Sequence, residues 1–114
     1  MKNIFILLLI SIAAVACNKE EVAKGTPKCI ENKIADIAKG DVWNPPAKVY
    51  SYLYNEETVY YIPARCCDIP STLYDENCDI VCSPDGGLTG GGDGQCTDFF
   101  DTRTEEKLIW EDVR

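Results

Sequence analysis

The stretch from Cys66 to Asp101, CCDIPSTLYDENCDIVCSPDGGLTGGGDGQCTDFFD, restricts the fold more than any other part of the chain. It holds five of the seven cysteines and six of the eight glycines. Eight carboxylates lie in it: Asp68, Asp75, Glu76, Asp79, Asp85, Asp93, Asp98 and Asp101. No Lys or Arg occurs between Arg65 and Arg103. A segment so rich in glycine loses much entropy on ordering, and so many like charges repel. Covalent staples and an adjoining core are needed to hold it. Residues 83–95, SPDGGLTGGGDGQ, are expected to form tight turns rather than regular structure, clamped by the flanking Cys82 and Cys96.

The start of the chain points to export. Residues 1–16 run from Lys2 through an apolar stretch, Ile4 to Ile10, into small residues, the pattern of a secretory signal. The apolar run is too short to span a bilayer, which takes about 20 residues. Cys17 follows Ala14-Val15-Ala16, which resembles a bacterial lipobox, so Cys17 is the expected lipidation site. Lipidation of Cys17 also leaves six cysteines, an even number suited to disulfides in an oxidising compartment. The expected set is Cys29, Cys66, Cys67, Cys78, Cys82 and Cys96. Fifteen pairings are possible. A bond between the neighbours Cys66 and Cys67 closes a strained ring and is expected not to form, which leaves about a dozen.

Composition excludes several functions. The chain has no His, which removes Ser-His-Asp and Cys-His catalysis and His metal ligands. Without Lys2, ten bases face nineteen acids, so binding to nucleic acid phosphates is not expected.

Residues 17–27 read as a flexible tether, polar and broken by Gly25 and Pro27. Lys19-Glu20-Glu21 behind the lipid cysteine resembles the signal that sends lipoproteins to the outer face of the outer membrane. One domain is expected over 28–114. Ile30, Ile34, Ile37 and Ala38 share one face of a helix over 28–39, with Pro27 at its entry and Gly40 at its stop. In AKVYSYLY, 47–54, Val49, Ser51 and Leu53 alternate with Tyr50, Tyr52 and Tyr54. With ETVYYI and a turn at Asn55-Glu56, this predicts a hairpin over 47–63. CDIVC, 78–82, reads as a short strand with Cys78, Ile80 and Cys82 on one face, and EKLIW, 106–110, as a last strand. The fold class expected is α+β: a small disulfide-rich domain with one N-terminal helix on an antiparallel sheet built on a hairpin, and a long Gly-rich loop.

TVYY at 58–61, CCD at 66–68, TLYD at 72–75, CSPDGGLTGGGDGQCTDF at 82–99 and the closing LIWEDVR together resemble a family of small, uncharacterised cysteine-rich lipoproteins of Bacteroidota. The resemblance spans roughly 28–114. That family usually has Asn-Gly in the hairpin turn, where this chain has Asn55-Glu56. The resemblance implies an envelope location and no particular chemistry.

The residues bear on four chemistries. Asp85, Asp93 and Asp98 around the glycine loop provide the oxygens of a weak calcium site, and GGGDG at 90–94 resembles a glycine-aspartate calcium repeat. Against it, Asp85 and Asp93 serve equally well as turn caps. Cys78 and Cys82 have the spacing of half a zinc site, but oxidation favours disulfides. Paired carboxylates among the eight acids offer a route to a hydrolase. A braced loop at 83–95 fits a small protease inhibitor. The remaining reading is a surface-anchored binding or accessory module with a protein or glycan partner and no required cofactor.

Overall fold

The computed structural model describes residues 21–114. The signal segment 1–16, Cys17 and Lys19-Glu20 lie outside the described residues. Helix α1, Lys28–Lys39, is followed by strands β1, Lys48–Tyr54, and β2, Glu57–Ile62. Then come β3, Thr72–Tyr74, β4, Ile80–Cys82, the single turn α2, Phe99–Thr102, and β5, Thr104–Glu111. The strands form one sheet in the order β4-β3-β2-β1-β5, antiparallel throughout. The α+β, disulfide-rich architecture is the one expected.

The hairpin's alternation places a different core on each face of the sheet. Val49, Tyr60, Ile62 and Trp110 point toward α1, where Ile30 and Ile34 bury one helical stripe. Tyr52, Tyr54, Val59 and Tyr61 point the other way and surround Phe99 with Leu73, Cys82 and Cys96. Register explains the separation: Tyr52 sits opposite Val59 and Tyr50 opposite Tyr61, so both members of each pair share a face. Asn55 and Glu56 both have positive φ, 49° and 65°, the backbone of a tight primed hairpin turn.

Several expectations need correction. Cys66 and Cys67 are bonded to each other. The peptide between them is cis, and the two Cα atoms lie 2.9 Å apart. The other bridges are Cys29–Cys78 and Cys82–Cys96. Cys78 and Cys82 do not share a face. The Asp75 carboxylate accepts the N–H groups of Asn77 and Asp79, which folds 75–79 into a turn, and Cys78 takes φ 63° there. Cys78 therefore meets Cys29 of α1, while Cys82 joins the Phe99 core. Of the expected tether, residues 21–27 are described, and part of this stretch packs while Glu21, Lys24 and Gly25 stay exposed. Val22 and Ala23 lie against the helix-side core, and the Ala23 N–H donates to the Ile109 carbonyl at 2.9 Å.

The glycine loop is ordered by its own backbone. Asp93 N–H donates to the Ser83 carbonyl, the Asp93 carboxylate accepts Ser83 N–H and Gln95 N–H, and Gly92 N–H donates to Gly86. Gly92 has φ 68°, and a Cβ there would overlap the Ser83 carbonyl oxygen. Only glycine fits that crossing.

Candidate functional site

A groove runs between α1 and the segment that follows β2. Lys33 and Asp36 project into it from α1, because positions three apart lie side by side on a helix. Trp43 enters from the loop 41–46, Arg65 from the end of the hairpin, and Tyr74 from β3. The cavity measures about 290 Å³ and adjoins a second of about 530 Å³, which shares Asp36, Trp43 and Arg65 and reaches Cys66.

Two cation–aromatic pairs line the groove. The Arg65 guanidinium lies 3.9 Å from the centre of the Trp43 ring, and Lys33 Nζ lies 4.4 Å from that of Tyr74. Each such pair contributes about 0.5–1 kcal/mol where solvent reaches it. The Cys66 N–H donates to the Asn44 carbonyl at 2.7 Å, which ties the turn carrying the adjacent disulfide to the loop carrying Trp43. Stacking occupies the flat face of the guanidinium and leaves its in-plane N–H donors for acceptors on a ligand. The arrangement suits recognition by stacking and hydrogen bonding.

The three aspartates singled out for calcium are not brought together. Asp98 accepts the Tyr54 hydroxyl at 2.6 Å, Asp85 accepts the Tyr61 hydroxyl at 2.8 Å, and Asp93 holds the loop backbone. Among the described residues, no group of three or more Cys, Asp or Glu side chains could hold a metal ion. These acids act as turn and hydroxyl acceptors in the fold.

Sequence reasoning missed the groove and the phenol–carboxylate network on the opposite face. Tyr52 donates to Glu106 at 2.6 Å, and Arg103 stacks 4.8 Å from its ring centre. Burial raises the Tyr52 phenol to about 12, with the bond to Glu106 adding to it and Arg103 opposing. Tyr61 is raised further, by burial first and then by its bond to Asp85. In Tyr54 the bond to Asp98 is the main cause of the rise. No local pattern announces these pairs, since the partners stand 24 to 54 residues apart. For the groove the only signals were a lone Trp beside Pro45-Pro46 and a basic residue ahead of Cys66-Cys67.

The loop tip carries Leu88, which is 87% exposed. The Gly90 N–H donates to the Gly87 carbonyl, so Leu88 sits in a turn rather than an extended strand.

No curated protein and no solved structure matches the chain. Residues 35–112 match a family model, and that stretch takes in the hairpin, the adjacent cysteines, the glycine loop and β5. The chain belongs to the family of the domain of unknown function DUF6970.

Proposed function

We propose that this chain is a lipid-anchored cell-envelope protein whose folded domain serves as a binding or accessory module. Cys17 carries the lipid, and the outer membrane, at its outer surface, is the location. The signal pattern of 1–16, the residues before Cys17 and the resemblance to Bacteroidota lipoproteins support that location. The pairing of six cysteines as disulfides agrees with an exported protein.

The binding reading rests on one observation. Trp43 with Arg65 and Tyr74 with Lys33 line a single open groove, each aromatic capped by a cation. Aromatic faces and in-plane donors are what a glycan or an extended peptide requires. Trp43 is half-buried and Trp110 is buried, and these are the two tryptophans of the chain. Fluorescence titration with envelope oligosaccharides and peptide pools therefore reads the groove through Trp43. Trp43→Phe should abolish the response and Arg65→Ala should weaken it. A saturable response that survives Trp43→Phe overturns the assignment of the groove.

One observation favours a second reading. Leu88 is exposed at the tip of a loop closed by Cys82–Cys96, as in a small protease inhibitor. A protease panel tests it, with Leu88→Ala as the variant that should lose inhibition.

A further inference from the structure

The folded part begins almost at the anchor. Cys17 is four residues before Glu21, so the chain between them reaches at most about 14 Å. Residues 21–24 do not wander from that point. They lie along β5, with Ala23 hydrogen-bonded to Ile109. Glu21 to Lys24, Leu108 and Val113 line one open cleft at this edge of the sheet. Leu108 is 45% exposed and Val113 is 73% exposed, and the opposite edge strand, β4, exposes Ile80 and Val81 as well. Two large apolar side chains at the sheet edge nearest the anchor are thus left partly open to solvent, and it is the anchor's reach that singles this edge out.

We propose that this edge, built from residues 21–24, Leu108 of β5 and Val113 just beyond that strand, is the face that rests on the lipid surface. The inference rests on the reading of Cys17 as the lipidated residue. A short leash fixes which edge can touch the membrane, and the apolar residues lie at that edge. The charged groups along the same cleft are two acids, Glu21 and Glu111, and one base, Lys24, a net negative set, so contact with the interface relies on apolar burial rather than on attraction to anionic lipid. Strand order then sets the domain's orientation. β3, which carries Tyr74 of the groove, stands three strands from β5, about 14 Å further from the bilayer. The groove faces away from the membrane, open to a partner arriving from outside.

Hydrogen–deuterium exchange tests the proposal on the full lipidated chain in zwitterionic phosphatidylcholine vesicles, compared with soluble Cys17→Ser. Amides of 21–24 and 104–113 should exchange several-fold more slowly on vesicles, while those of 62–74 should not change. Leu108→Ser with Val113→Ser should remain in the vesicle fraction and lose that protection. Three results overturn the proposal: no added protection at 104–113 in protein that does sediment with vesicles, protection centred on 62–74 instead, or the same protection in soluble Cys17→Ser as its concentration rises, which assigns the edge to a second copy. A native chain that fails to sediment with vesicles removes the anchor reading itself, and this inference with it.

Discussion

The three disulfides should differ in what they contribute, and the order follows from the chain each one closes. In the chain-entropy description, a bridge stabilises by restricting the unfolded chain, more so for longer loops. Cys29–Cys78 spans 49 residues of separation, worth about 4 kcal/mol on that scale. Cys82–Cys96 spans 14, worth about 3 kcal/mol, and both its cysteines are buried, so their removal also opens the Phe99 core. Cys66–Cys67 spans one and closes almost no chain, so about 1 kcal/mol is its ceiling. The perturbation is pairwise Cys→Ala replacement, read by equilibrium urea unfolding without reductant. A small domain has about 5–15 kcal/mol in all, so the Cys29/Cys78 variant should be close to unfolding at 25 °C. The Cys66/Cys67 variant should keep most of its stability. Equal losses for the Cys66/Cys67 and Cys29/Cys78 variants would refute the reasoning, because they would show that loop length does not set the contribution.

Three further outcomes are expected. Glu56→Gly should stabilise the domain by about 1 kcal/mol in the same assay, since Glu56 has φ 65° and glycine takes that backbone freely. Gly92→Ala should lose more than about 2 kcal/mol, because its Cβ would overlap Ser83, whereas Gly90→Ala, with open space around it, should lose only about 1 kcal/mol. Alkaline pH should destabilise the fold. Tyr52 is raised from 10 to about 12 and Tyr61 is raised as well, so the unfolded chain ionises first. The Tyr52 contribution is complete below pH 10 and is lost as pH rises to about 12, while that of Tyr61, raised further, persists to higher pH. Tyr52→Phe should flatten the fall in melting temperature over that window, and tyrosinate absorbance should lag that of the unfolded protein.

What was legible in the sequence was periodic. The stripe of Ile30, Ile34 and Ile37 and the alternation of 47–54 gave α1 and the hairpin at nearly their observed bounds, because each carries a repeat long enough to detect. β3 is three residues long and carries no period. α2 is a single turn whose Phe99 fills the centre of the second core, and its neighbours gave no helical stripe. The bond between the neighbours Cys66 and Cys67 runs against the strain expected of so small a ring, so no sequence rule points to it. The groove was invisible for a different reason. Its parts come from α1, the 41–46 loop, the 63–70 segment and β3, and only tertiary packing gathers them. A sequence shows what repeats locally, and this site is made of single residues.

The acidic segment between Cys66 and Asp101 posed a choice between carboxylates dispersed in solvent and carboxylates collected on a cation. The fold takes neither course with the ones that matter most. A buried hydroxyl needs an acceptor, and a carboxylate is the strongest one available. The hairpin puts Tyr52, Tyr54 and Tyr61 on the face that the acidic segment and β5 must cover. Their rings bury against Phe99, with ring centres 5.3 to 5.6 Å away, while their hydroxyls reach the rim of that core. Asp85, Asp98 and Glu106 stand at that rim, one for each hydroxyl, and Asp75 and Asp93 take backbone N–H groups in turns. The acids are thus spread around the aromatic core by the spacing of the tyrosines, which keeps them apart. On this account the aromatic alternation of 47–54 and the acid excess of 66–101 are two halves of one structural device. Replacing a tyrosine of the set by Phe should free its carboxylate partner and leave the others in place.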